Sequence, residues 1–356
     1  MARVYNFSPG PSALPLPVLE KVKAALPEYA ETGMSVMEMS HRSAMYLDII
    51  HDTEARLSAL MHIPDSYAVL FLHGGATAQF ASIPMNLMVN GVADYIDSGN
   101  FAHGAAGEAA KYGQVNIVAS SRDDQYTYIP DWKGKLTPNA DYLHITTNNT
   151  IYGTHYIELP EGSAPLVADM SSNILGEVYD VTKFGVIYAG AQKNIGPAGL
   201  CVLIVRRDLL GKAQPITPKI FNWATQADNE SMLNTPNTFA IYVAGLCMEW
   251  LQQQGGVEAI AEVNKEKAAL LYNFLDNSKL FKGTAQKEFR SVMNVTFVTG
   301  DKEKDAEFVK FAAQRGLVNV KGHRVVGGMR ASIYNAMPIE GVKALIEAMK
   351  EFELKA

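Results

Sequence analysis

The sequence predicts an α/β fold, with a large domain on a mainly parallel sheet followed by a smaller α/β domain. Three observations lead there. Between residues 67 and 205, short apolar runs alternate with stretches of helical periodicity, the pattern of a parallel sheet covered on both faces. A Gly255-Gly256 pair follows a long helical stretch, and a second β-α-β-α alternation comes after it. The 356 residues also exceed one ordinary core, on a soft prior of about 150 residues per domain.

The elements follow in order. Residues 7–12 hold two prolines and a glycine and read as a loop. A helix is predicted over 16–26, with Pro17 tolerated in its first turn. Another spans 45–61, where Ile49, Ile50, Leu57, Leu60 and Met61 recur at helical spacing. Strands are predicted at 67–73, 92–97, 115–119, 142–146, 166–169, 186–189 and 200–205, and helices at 78–88 and 102–111. Beyond the helical stretch 238–254, a long helix runs to about 275. Strands at 292–298 and 329–333 and helices at 301–315 and 339–353 complete the chain. The large domain is therefore expected over 16–255, and the small one over 1–15 with 256–356.

Composition narrows the classes. Hydrophobic residues make up 48% and charged residues 19%, ordinary globular values. The net charge of -6 and the lack of a Lys/Arg-rich run argue against nucleic acid. Two cysteines, Cys201 and Cys247, cannot form a disulfide framework and fit a reducing compartment. No apolar run approaches a membrane span, and the start lacks the apolar core of a secretory signal. A cytoplasmic location is expected, with no membrane partner and no metal.

In open parallel sheets, ligands sit at the carboxyl ends of the strands, so residues just past each strand carry the chemical argument. Lys193 follows an apolar strand within Ala189-Gly190-Ala191-Gln192-Lys193-Asn194-Ile195-Gly196. Small neighbours let a bulky cofactor approach, and a lysine amine there can condense with an aldehyde. The same motif by itself also fits an exposed loop lysine beside turn glycines. Asp169 ends the run Leu166-Val167-Ala168. A strand-end carboxylate can pair with the pyridine nitrogen of pyridoxal phosphate (PLP), whose protonated ring is the better electron sink. Alone it also fits a turn cap. The His73-Gly74-Gly75-Ala76-Thr77 segment joins a strand to a helix and exposes backbone N–H groups suited to a phosphate. It also fits an ordinary βα turn, and it matches neither dinucleotide nor nucleotide-triphosphate glycine motifs.

Several segments occur together in order: Asn6-Phe7-Ser8-Pro9-Gly10-Pro11, Met39-Ser40-His41-Arg42-Ser43, the Gly74-Gly75 loop and Asp169-Met170-Ser171-Ser172. Ala191-Gln192-Lys193-Asn194, Asn234-Thr235-Pro236 and Gly322-His323-Arg324-Val325-Val326-Gly327-Gly328-Met329-Arg330 follow. Across essentially the whole chain this series resembles the phosphoserine aminotransferase family, within the class V PLP-dependent aminotransferases. The resemblance implies the aspartate aminotransferase-like fold with a seven-stranded sheet. It implies amino transfer between glutamate and 3-phosphohydroxypyruvate in serine biosynthesis, and in some members a related step of vitamin B6 synthesis.

The resemblance also assigns roles. Lys193 would bear the cofactor, and Asp169 would pair with its ring nitrogen. Ala76, Thr77 and Gln192 would hold its phosphate, Thr150 would contact its phenolic oxygen, and Phe101 would stack on the ring where the family often has tryptophan. Asn234 and Thr235 would reach the cofactor phosphate of a neighbouring subunit, which implies a homodimer. Arg330 would grip the substrate α-carboxylate through parallel bonds. His41, Arg42, His323 and Arg324 would surround the substrate phosphate. A cysteine desulfurase would instead need a mobile nucleophilic cysteine, and both Cys201 and Cys247 lie in core-like patterns. A non-catalytic relative of the fold would not need Lys193, Asp169 and Arg330 together.

Overall fold

The computed structural model describes residues 3–355. Its centre is a seven-stranded sheet in the order Tyr67–Leu72, Cys201–Arg206, Val186–Gly190, Leu166–Asp169, Leu143–Thr146, Val92–Asp97, Gln114–Ser120. Cys201–Arg206 runs antiparallel to both neighbours, and the other strands are mutually parallel. Tyr67–Leu72 is buried along its whole length, because a sheet covered on both faces needs no polar side and reads as a continuous apolar run.

Side chains alternate between two cores. Val69, Phe71, Ile145, Ala168, Ile187 and Val202 pack against residues of the helices Ala44–Met61 and Thr238–Gln253. Leu70, Tyr95, Val167, Tyr188 and Leu203 face Phe80 and Ile83 of Gly75–Leu87 and Ala105 and Ala109 of Asn100–Ala109. Polar caps set helix starts: Ser43 accepts from Tyr46 N, Asn237 from Ala240 N, and Asp301 from Glu303 N and Lys304 N.

A separate core gathers the rest. The long helix Gly256–Asn277 and the helices Lys302–Ala313 and Ile339–Glu353 supply Leu271, Phe308 and Leu345. They cover an antiparallel sheet of Lys282–Gly283, Asn294–Val298 and Met329–Ser332. The N-terminal segment joins this core: Phe7 is fully buried in it, and Tyr5–Asn6 pairs with Leu317–Val318 in parallel. The chain thus has the aspartate aminotransferase-like arrangement of a large sheet domain and a smaller C-terminal one. Among the described residues no helix is long and apolar enough to cross a membrane, and no group of three or more His, Cys, Asp or Glu is arranged to hold a metal ion.

Candidate active site

The carboxyl ends of the central strands open on a cavity of about 500 Å³. Thr146 and Asp169 end adjacent strands, and the register pairs Thr146 with Asp169 and Asp169 with Tyr188. Lys193 comes three residues after the strand Val186–Gly190. Its loop is held from two directions. Lys193 N and Gly196 N both donate to Ala191 O at 2.8 Å, and Ser12 Oγ donates to Lys193 O at 2.6 Å. The N-terminal loop thus lies against the lysine, and Pro9, Gly10 and Pro11 form part of the cavity wall.

Lys193 is half-buried, and its Nζ donates to Thr150 Oγ1 at 2.8 Å. Loss of water lowers its pKa to about 8; the Asp169 charge opposes that shift and Arg330 adds to it. The amine is therefore available as a base or nucleophile near neutral pH. Asp169 is shifted upward by burial, while the Ser171 N–H at 2.9 Å and the Lys193 charge favour its ionised form. The Phe101 ring lies over the amine, with Nζ 5.7 Å from its centroid.

Opposite stands the helix Gly75–Leu87. Gly74 and Gly75 have φ of 86° and 61°, a region that glycine enters without strain, and a Cβ on Gly74 would come within 2.6 Å of the Ala78 Cβ. No side chain caps this helix start. Gly74, Gly75, Ala76 and Thr77 all line the cavity, as does Gln192. Free N–H groups at a helix N-terminus suit an anion.

Arg330 reaches the cavity from the smaller sheet. It is 5% exposed, its Nη1 donates to Thr150 O at 3.0 Å, and its Nε has no partner. Thr146 Oγ1, also on the cavity wall, is buried without a partner. Such orphaned groups are costly unless a ligand meets them. A lysine amine, a buried carboxylate, an uncapped helix start, an aromatic ring and an unsatisfied guanidinium face one volume. Together they fit a phosphorylated aromatic aldehyde beside a carboxylate-bearing substrate.

The structure therefore brings Ala76, Thr77, Phe101, Thr150, Asp169, Gln192, Lys193, His323 and Arg330 to one cavity. His323 is drawn below the ordinary histidine pKa by partial burial and by the charges of Arg330 and Arg324. Arg42, Arg324, Asn234 and Thr235 are exposed, and His41 is half-buried with Nε2 enclosed and unpartnered. None of these five lines the cavity. Asn234 and Thr235 precede the helix Thr238–Gln253, where Thr235 O lies 3.1 Å from His73 Nε2. His41 and Arg42 precede the Ser43 cap of the helix Ala44–Met61.

Sequence reasoning overlooked Thr146, Asn148, Ser171 and Ser172, which line the same cavity. Asn148 Nδ2 donates to Ser172 Oγ at 2.7 Å and to Asn294 Oδ1 at 2.8 Å, tying the cavity wall to the smaller sheet. The strand-end rule that singles out Asp169 applies equally to Thr146. Cys201 and Cys247 are both buried away from the cavity.

The class-V aminotransferase family model matches residues 4–345. The chain is 56% identical over 358 residues to the phosphoserine aminotransferase of Bacillus cereus (strain ATCC 14579), covering 100% of this chain and 99% of that one. The solved phosphoserine aminotransferase of Bacillus circulans subsp. alkalophilus is 44% identical, with a TM-score of 0.97 over 99% of each chain. The PLP-bound phosphoserine aminotransferase of Trichomonas vaginalis is 39% identical, with a TM-score of 0.95 over 98% of this chain and 100% of that one. With its strand-end lysine, carboxylate and phosphate-ready helix start in one cavity, the chain belongs to the phosphoserine aminotransferase family of class-V aminotransferases.

Proposed function

We propose that this chain is a PLP-dependent transaminase moving an amino group between glutamate and 3-phosphohydroxypyruvate, a step of serine biosynthesis. The observation that carries this reading is the convergence of Lys193, Asp169 and Arg330 on one cavity that also contains the uncapped start of the helix Gly75–Leu87. When bound there, PLP supplies an electron sink that weakens the bond between Cα and its hydrogen in an amino acid. Asp169 would accept the ring N–H and so keep that nitrogen protonated. Lys193 Nζ takes the Cα proton as general base and returns it as general acid, a task suited to an amine whose pKa lies near 8. Arg330 holds the α-carboxylate and so orients the Cα–H bond toward Lys193. The N–H groups of Ala76 and Thr77, with Gln192, would hold the cofactor phosphate. Phe101 would cover one ring face, and Thr150 positions Lys193 through the bond it accepts.

The substrate phosphate is assigned to His41, Arg42, His323 and Arg324. Only His323 lines the cavity of its own chain. Asn234, Thr235, His41 and Arg42 are accordingly read as groups that a second copy brings to the site, making the working unit a homodimer. We place the division of the chain at 255, with residues 1–15 joining 256–356, because Phe7 belongs to the second core. Two buried free thiols fit the cytoplasm. Some members of the family act on a related substrate of vitamin B6 synthesis, and the same pocket could admit it.

The test compares 3-phosphohydroxypyruvate with hydroxypyruvate as acceptors from glutamate, following 2-oxoglutarate release by the PLP-loaded protein. A hydrogen bond to a charged group contributes about 1.5–3 kcal/mol, so the phosphorylated acceptor is expected to be favoured by roughly 10- to 150-fold or more in kcat/KM. Equal use of both acceptors would remove the phosphate assignment and leave the amino transfer standing.

A further inference from the structure

Lys267 lies on the helix Gly256–Asn277 with 0% of its surface exposed. A lysine so buried is costly unless its donors are met, and an apolar side chain would fill the same space without that cost. Its three N–H donors find three backbone carbonyls: Ile333 O at 2.9 Å, Tyr334 O at 2.8 Å and Met337 O at 3.0 Å. All three acceptors belong to one turn, which follows directly on the strand Met329–Ser332 that carries Arg330. Burial lowers the Lys267 pKa to about 7, while three carbonyl dipoles aimed at the nitrogen favour the ammonium form.

The same turn reaches the loop of Lys193. Asn335 N donates to Asn194 Oδ1 at 3.0 Å, and Asn194 is the residue after Lys193. Asn194 Nδ2 in turn donates to Ile174 O at 3.0 Å. Asn264, three residues before Lys267 and hence on the same helix face, donates to Asn335 Oδ1 at 2.8 Å and to Gly176 O at 3.0 Å. The junction is tight: a Cβ on Gly176 would lie 3.1 Å from both Asn194 Nδ2 and Asn335 Oδ1. Tyr334 OH, in the same turn, donates to Pro9 O on the cavity wall at 2.8 Å.

We propose that Lys267 is a positioning residue for the amino-transfer reaction: with Asn264 it clamps the 333–337 turn, and the turn fixes Arg330 on one side and the Lys193 loop on the other. The helix Gly256–Asn277 thereby sets the spacing between the group that grips the α-carboxylate and the group that moves the Cα proton. This role rests on the transaminase reading above, but the clamp has a consequence that needs no reaction.

The experiment is hydrogen–deuterium exchange on the full PLP-loaded chain, paired with steady-state kinetics with glutamate. In Lys267→Met, which removes three charged hydrogen bonds, amide exchange in segments 191–196 and 333–337 is expected to quicken at least about tenfold, the effect of losing even one of them. Exchange in the large-sheet strand Val92–Asp97 should stay at the parent rate. kcat/KM for glutamate should fall about tenfold or more, with part of the loss recovered in Lys267→Arg. Lys265→Met, on the exposed side of the same helix, should match the parent in both measurements. The clamp is overturned if 191–196 exchanges within twofold of the parent, or if Val92–Asp97 quickens equally, as general loosening of the fold would cause. Should Lys267→Met fail to fold, Asn264→Ala removes the helix's other bond to the turn, at Asn335 Oδ1, and must loosen 333–337 and 191–196 under the same criteria. A parent chain without transaminase activity would sink the functional reading, while the exchange pattern would still decide the clamp.

Discussion

Lys193 and Lys267 both lose water on folding, and burial lowers the pKa of each, to about 8 and about 7. Their surroundings differ in every other respect. Lys267 has a carbonyl for each of its donors and is fully buried. Lys193 has one hydroxyl partner, a carboxylate close enough to affect its charge, and a 500 Å³ cavity in front of it. A depressed pKa therefore does not by itself mark a reactive lysine. Reactivity needs an unfilled hydrogen-bonding capacity that faces a space for substrate, and a structural lysine has neither.

The sharpest way to break this contrast is to remove each amine in turn. Lys193→Ala should abolish covalent, borohydride-reducible attachment of PLP and lower turnover by about 10²–10⁴-fold or more, the scale of a lost general acid–base group. Its folding stability should change little, because the side chain fills no closed core. Lys267→Met should do the reverse: PLP stays covalently attached, while the 333–337 turn, whose three carbonyls lose their donor, opens more often without loosening the large sheet. Mass spectrometry after borohydride reduction and hydrogen exchange on both variants read this directly. A Lys193→Ala protein that still holds PLP covalently would mean that another lysine does the chemistry.

A smaller effect is expected at Arg330. Arg330→Ala should lower kcat/KM roughly 10- to 150-fold for glutamate and phosphoserine alike, since both carry an α-carboxylate. Arg42→Ala should weaken phosphoserine use and spare glutamate by comparison. Kinetics with the two amino acids in each variant separate these outcomes, and equal losses in Arg42→Ala would detach that residue from the substrate phosphate.

The smallest expected effect is in pH. The neutral amine is the nucleophile, and a lysine is neutral above its pKa. The rate at which PLP attaches to the apo protein should therefore rise with pH through a midpoint near pH 8 and level off above it. An unshifted lysine would go on rising toward about 10.4. Rapid-mixing absorbance across pH 6–10 gives the midpoint. A rate still rising at pH 10, with no midpoint near pH 8, would mean that burial does not tune Lys193.

Much of this architecture follows from local pattern. Uninterrupted apolar runs such as Tyr67–Leu72 and Cys201–Arg206 can be stable only between two covering layers, so they predict a doubly covered sheet. Helix ends agree with the periodicity to within a few residues. The largest shift, a start at Gly75 where 78 is predicted, comes where the positive-φ glycines Gly74 and Gly75 let the helix begin early. Lys193 and Asp169 are legible because a strand's end is a local feature, and the parallel sheet carries every such end to one edge. Thr146 obeys the same rule, but a threonine has no charge to draw notice.

Other features depend on partners far apart in the chain. That Cys201–Arg206 runs antiparallel within an otherwise parallel sheet is decided by its packing between Tyr67–Leu72 and Val186–Gly190. Phe7 joins a core formed almost entirely after residue 268, which no local pattern near the N-terminus announces. Lys267 reads as one more charge on an amphipathic helix, and only the fold turns its ammonium onto three carbonyls some 66 to 70 residues away. Side-chain chemistry and periodicity are properties of a segment. Burial, orphaned donors and the distance between two reactive groups are properties of the packed chain, since they exist only once solvent has been excluded between segments.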